Sequence, residues 1–334
     1  MRLIMRHEIE EQEEGRFSKQ ALMVIIPLAV ILLLIIFCVV KIMVWNKGKA
    51  FHYDGPGDTS SLDSESEDYF AAMDPALLAD RPDDGLQILF LGDDMLTYGG
   101  STQSIPNQVS IGTGATVYNC GFPQSTLASR NLGFDEEYCN DVFSFVRLAY
   151  CIKSGDYTLV DYYKEYADIY DSSFDTAINT LENIDFNQID VIFLAYGTYD
   201  YLNGYMTTDV TNDSAANAVT GALNAGITAI REAYPHIRFV VMSPTFCYYD
   251  EGDGTMTQAD LRRVGVTDEA LGGYIVAMKA ICVQLNVSFL DDYFGFPLDA
   301  QTAQQYLDDA IHVNDDCRKL LADKVIDYIK TKMY

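Results

Sequence analysis

Positive charge is scarce in this chain. Its 334 residues include 22 Lys+Arg against 49 Asp+Glu, a formal net charge of −27. A phosphate backbone is held by Lys and Arg that displace its counterions, so nucleic acid is excluded as a partner. Histidine is scarcer still, with four in the chain, which leaves few candidates for a general base. The seven cysteines form no CxxC pair and no zinc-like spacing, which argues against a cysteine metal cluster. Cys38 lies in an apolar run, and Cys120, Cys139, Cys151, Cys247, Cys282 and Cys317 are scattered singly, read as mostly buried apolar residues with any pairing left open. What is abundant is apolar: 49% of residues are hydrophobic and 21% charged, which excludes a wholly disordered acidic chain.

The charge is unevenly placed. Residues 1–50 hold seven Lys+Arg and five Glu, a net of +2, which leaves −29 for the rest. Ala21 to Val40 is a run of twenty residues without a charge, mostly Ile, Leu and Val. A helix of that length, at about 1.5 Å per residue, spans a hydrocarbon core of about 30 Å. A cleaved signal peptide has a shorter apolar stretch, about 7–15 residues, so the expectation is an uncleaved transmembrane anchor over 21–45. Lys41 snorkels and Trp45 sits at the headgroups. Basic residues flank both ends, so orientation rests on bulk asymmetry: residues 1–20 are expected in the cytoplasm, and the acidic remainder, which an anionic leaflet repels, outside. Residues 51–84 carry ten acids against Arg81 alone, with Gly55-Pro56-Gly57 and a serine cluster. The segment 46–84 therefore reads as a solvated, disordered tether.

Beyond residue 85, short apolar runs alternate with longer helical patterns. Leu86–Leu91, Thr116–Cys120, Val191–Tyr196, Ile237–Ser243 and Val287–Leu290 read as buried strands. Asn140–Lys153, Ser214–Tyr234, Asp268–Leu285 and Asp315–Lys332 read as helices. Strands separated by helices require right-handed crossovers and a parallel sheet covered on both faces. The fold class expected is therefore α/β, a doubly wound three-layer sandwich of flavodoxin-like kind over 85–334, behind one N-terminal transmembrane helix. Ligands of such sheets bind beyond the carboxyl ends of the strands. Residues 133–184, rich in Tyr and Phe, read as a helical insertion placed to wall that site. Its tyrosines (Tyr157, Tyr162, Tyr163, Tyr166, Tyr170) read first as packing.

Four blocks at those strand ends carry a resemblance. Leu91-Gly92-Asp93-Asp94-Met95-Leu96-Thr97-Tyr98-Gly99-Gly100 resembles the first block of the SGNH/GDSL hydrolases, Gly-Asp-Ser-Leu-Thr-x-Gly. Asn119-Cys120-Gly121-Phe122-Pro123-Gln124-Ser125-Thr126 resembles the second, Gly197-Thr198-Tyr199-Asp200 the third (Gly-x-Asn-Asp), and Asp309-Ala310-Ile311-His312 the last. The resemblance implies an SGNH fold, ester chemistry on O-acylated sugars or envelope polymers at a bacterial surface, and no cofactor or metal. It places Asp94, His312 and Asp309 at the catalytic positions and Gln124, Tyr199, Asp200 and Asn119 at the oxyanion and substrate-binding positions.

The departures bear on the chemistry. Asp94 stands where the family has its serine nucleophile, Gln124 where it has a glycine donating a backbone N–H, and Tyr199 where it has an asparagine. Loss of a triad nucleophile costs about a million-fold in turnover, and loss of one oxyanion donor about a hundred- to a thousand-fold. A carboxylate also repels a developing oxyanion and is expected to hold His312 as an imidazolium, which removes its capacity as a base. Two functions stay open from sequence. One is catalysis, with Asp94 as an altered nucleophile or with Ser101, Ser104, Ser110 or Ser125 as substitute. The other is a binding ectodomain that keeps the cleft, with Tyr199 as a stacking face for a sugar. A weaker reading gathers Asp93, Asp94, Asp200 and Asp309 into an oxygen-rich Ca²⁺ or Mg²⁺ site.

Overall fold

The computed structural model of the chain describes residues 68–72, 85–100, 102–167 and 171–333. The expected anchor and most of the tether lie outside them. Among the described residues no helix is long and apolar enough to cross a membrane.

Five strands form one parallel sheet: β1 Gln87–Gly92, β2 Thr116–Gly121, β3 Val191–Ala195, β4 Arg238–Met242 and β7 Ser288–Leu290, in the order β2-β1-β3-β4-β7. A short antiparallel hairpin, β5 Tyr248–Asp250 with β6 Met256–Gln258, stands apart. Alternation along each strand sends side chains to opposite faces. Leu89, Leu91, Ile192, Leu194 and Val241 enter one apolar layer; Ile88, Phe90, Val191, Phe193 and Val240 enter the other. Each of these side chains is fully buried, and burying one is worth about 1.5–3 kcal/mol.

Helices cover both faces. After the single turn α1 (Asp94–Thr97) comes α2 (Ile105–Thr113), and the insertion then supplies α3 (Phe145–Ser154), α4 (Thr158–Tyr163) and α5 (Ser172–Asn183). α6 (Thr198–Leu202) follows β3, α7 (Val219–Ala233) precedes β4, and α8 (Leu271–Leu285) precedes β7. α9 (Ala303–Tyr306) and α10 (Asp315–Lys332) end the chain. α3 packs along α7 on one side of the sheet and α10 along α2 on the other. The doubly wound expectation is thus met. The insertion differs from its expected role, because Phe145, Leu148, Ile152, Val160, Phe174 and Leu181 are drawn into the core beneath the sheet, making it a structural layer.

Edge strand β7 exposes unpaired backbone groups, which native sheets cover. Residues 68–72, inside the segment expected to be a free tether, do this. Tyr69 pairs antiparallel with Phe289, its N–H donating to the Phe289 carbonyl at 2.9 Å and its carbonyl accepting the Phe289 N–H at 2.7 Å. The Asp68 carboxylate accepts the Asp291 N–H at 2.8 Å and pairs with Lys324 at 3.0 Å. Lys324 also lies 3.2 Å from buried Asp292. Asp68→Ala removes the anchor of this clasp, and amide exchange at Phe289 is expected to rise about tenfold or more while the central strands stay protected. Unchanged exchange at Phe289 would show that the pairing does not depend on Asp68.

Candidate functional site

The strand order reverses between β1 and β3, the switch point at which such sheets bind ligands. The chain leaves β1 through Gly92, where a Cβ would stand 2.5 Å from the Ala195 carbonyl oxygen, so α1 folds tightly over the strand ends. Asp93 caps α1, its carboxylate accepting the Met95 N–H at 3.0 Å. Asp94 is the first residue of the turn and faces α6, which carries Tyr199.

Asp94 meets the residues that the motif order brings to it. Its carboxylate accepts the Gln124 N–H at 2.9 Å. Gln124 has φ +58°, a left-handed conformation that side chains adopt at a cost and that turns this N–H inward. Burial first, then the charge of Asp94 beside it, push the Tyr199 pKa up. His312 Nε2 lies 3.9 Å from Asp94 Oδ1, too far for a hydrogen bond. His312 Nδ1 is 2.7 Å from Asp309 Oδ2. A carboxylate only accepts, so Nδ1 carries a proton, and in the neutral tautomer Nε2 is then an acceptor.

Asp309 is itself fixed by the N–H groups of Ile311 and His312, both at 2.8 Å. Partial burial works against its charge, yet these N–H groups and the imidazole hold its pKa below the usual value. Tyr98 stacks on His312 with centroids 4.0 Å apart and planes 7° apart, and the Arg318 guanidinium covers Tyr98 at 5.6 Å. Arg318, 2% exposed, is held by the Val313 carbonyl and Asp315. Asp93, Thr198 and Thr245 join the lining of a shallow cleft that is partly open to solvent.

Five of the seven expected site residues therefore come together: Asp94, His312, Asp309, Gln124 and Tyr199. The other two do not. Asp200 is fully buried and accepts the N–H groups of Leu127 and Ala128 at 2.8 and 2.9 Å, which orders the loop after β2. Asn119 donates to the Leu96 carbonyl at 3.0 Å and accepts the Gly121 N–H at 3.2 Å, bracing α1 from behind. Tyr199 is 6% exposed, so it offers no stacking face. With Asp200 turned away, the four carboxylates do not converge, and no group of three metal-ligating side chains is found among the described residues.

The substitute serines also lie elsewhere. Ser125 Oγ donates to the Gly92 carbonyl and Ser110 Oγ to that of Ala115, while Ser104 caps α2; none lines the cleft. Ser101 is outside the described residues. Tyr98 and Arg318 were not singled out by sequence, although Tyr98 stands in the first block and Asp315 and Arg318 share the helical spacing of an ion pair.

No family model and no curated protein matches the chain. Solved structures do. A protein from Lactobacillus plantarum matches at 16% identity over 74% of this chain and 97% of that one, with TM-score 0.50. An active-site mutant of a family two carbohydrate esterase from Clostridium thermocellum matches at 16% identity over 75% and 65%, TM-score 0.44. A member of the lipolytic G-D-S-L family from Veillonella parvula matches at 15% identity over 74% and 99%, TM-score 0.42. At 16% identity the likeness to the Lactobacillus plantarum protein is one of fold alone.

Proposed function

We propose that the chain is a membrane-anchored, SGNH-like ectodomain that binds glycans of a bacterial cell surface and has no serine-esterase activity. The Asp94 carboxylate carries this reading. It takes the position that the resemblance gives to the nucleophile and also occupies a donor that an oxyanion needs, the Gln124 N–H. An esterase offers such a donor empty to the developing charge; here it is filled by a charge of the protein's own. The same hydrogen bond stabilises the carboxylate and blunts it as a nucleophile, which disfavours the altered-nucleophile reading.

The cleft that remains is shallow, and Thr198 and Thr245 are among its lining residues beside Asp93, Asp94 and His312. These side chains give a polyhydroxylated ligand hydrogen-bonding partners, and Tyr98 and Met95 give it an apolar face. The anchor at 21–45 places it within reach of envelope polymers. Full-length protein in nanodiscs is expected to be retarded in electrophoresis through gels containing acetylated xylan or soluble peptidoglycan fragments, with no acetate released. Mobility identical in every gel would overturn the glycan assignment.

A further inference from the structure

An esterase cleft presents donors to a carbonyl oxygen, whereas this one presents acceptors. With the Nδ1 proton of His312 given to Asp309, Nε2 of the neutral tautomer and Asp94 Oδ1 are two acceptors facing each other at 3.9 Å. Among the described residues no donor bridges them. Asp93, which lines the same cleft and is 2% exposed, has an Oδ2 with no hydrogen-bond partner among the described residues. Asp308 and Asp309 add side chains 44% and 48% exposed at the rim. The cation of the site, Arg318, is buried beneath Tyr98 and held by Asp315.

We propose that the cleft recognises a primary ammonium group, that of a de-N-acetylated amino sugar within a glycan. A nitrogen about 2.9 Å from both acceptors sees them at about 85°, near enough to the tetrahedral angle for two bent hydrogen bonds. The third N–H is free for a further acceptor. A charged donor is worth more than a neutral hydroxyl here, because at the uncharged Nε2 it makes a charge-assisted bond, roughly twice as strong as the neutral one a hydroxyl makes there. The sugar assignment rests on the glycan reading; the ammonium rests on the acceptor geometry alone.

The test is calorimetry of the full-length protein with a glucosamine tetramer and its fully N-acetylated counterpart, in wild type, Asp94→Asn and Glu182→Gln. Glu182 is an exposed acid on α5, so Glu182→Gln removes the same charge away from the cleft. The deacetylated tetramer is expected to bind about tenfold or more tighter. Asp94→Asn should abolish that preference while Glu182→Gln keeps it. Equal or tighter binding of the acetylated tetramer overturns the ammonium proposal and leaves the glycan reading intact. Binding of neither tetramer overturns both. A preference that survives Asp94→Asn shows attraction by overall negative charge and overturns the site, and tighter binding of a tetralysine peptide overturns the sugar.

Discussion

Asp94→Ser is expected to give the chain an esterase activity that the wild type lacks. The substitution removes the carboxylate from the Gln124 N–H, which it now holds at 2.9 Å, and so opens an oxyanion donor. It also places a hydroxyl at the end of β1, on the side of His312 Nε2, with Asp309 already fixing the imidazole at 2.7 Å. A restored nucleophile and base are worth up to about a million-fold. The donor missing at Tyr199 takes back about a hundred- to a thousand-fold. The net expectation is a gain of about a thousand-fold in kcat/KM on 4-nitrophenyl acetate, and a further rise of about tenfold or more with Tyr199→Asn. A variant no faster than wild type would show that the cleft lacks the geometry of a triad.

The largest effect on stability is expected from Asp200→Ala. Its carboxylate is the partner of two backbone N–H groups, Leu127 and Ala128, in a loop whose neighbours are buried. Leaving a buried donor unpaired costs about 1–3 kcal/mol, so two cost about 2–5 kcal/mol, or roughly 10 °C in Tm for a domain of this size. Burial raises the Asp200 carboxyl to about 7 in spite of those hydrogen bonds, and likewise that of Asp292. A folded-state pKa above the unfolded one gives a contribution fully present below about pH 4 and lost as pH rises through about 7. Wild type should therefore melt higher at pH 5 than at pH 8. Asp200→Ala should melt lower throughout and show a shallower slope, the remainder belonging to Asp292 and to Asp93, Asp141, Asp260 and Asp291, whose carboxyls burial also raises. A wild-type Tm that rises between pH 5 and 8 would contradict this.

The sheet was legible because β1, β3, β4 and β7 each centre on a short apolar run and β2 is interrupted only by Asn119 before its closing Gly121, and Asp315–Lys332 was legible because Asn314 caps it. Helix α2 went unread. Its segment is small and polar, with only Ile105, Pro106 and Val109 buried; the signals present were the Ser104 cap and the proline in its first turn. Helix α7 starts later than its periodicity implies, because the backbone of Ala218 to Thr220 is engaged by Met206 and Thr207. The clasp of residues 68–72 was hidden by composition. An acidic, serine-rich stretch reads as solvated, and only the edge of β7 and Lys324 give it a place to bind.

At the site, block order foretold which segments converge but not where side chains point. Asp200 sits one residue from the cleft and Asn119 on the strand behind α1, and both turn their polar atoms to the backbone. Tyr98 and Arg318 were missed because their stack joins the end of α1 to α10, a contact with no periodicity to reveal it. The hydrogen bond from the Gln124 N–H to Asp94 was the least legible of all. Sequence placed a carboxylate in the first block; the structure shows which backbone donor it takes.

The most direct test is therefore hydrolysis of 4-nitrophenyl acetate by the purified wild-type chain beside His312→Ala. The Asp94 carboxylate on the Gln124 N–H predicts turnover indistinguishable from the uncatalysed background in both proteins. Wild-type turnover above background that disappears in His312→Ala would show a working triad and contradict the reading of a silenced esterase.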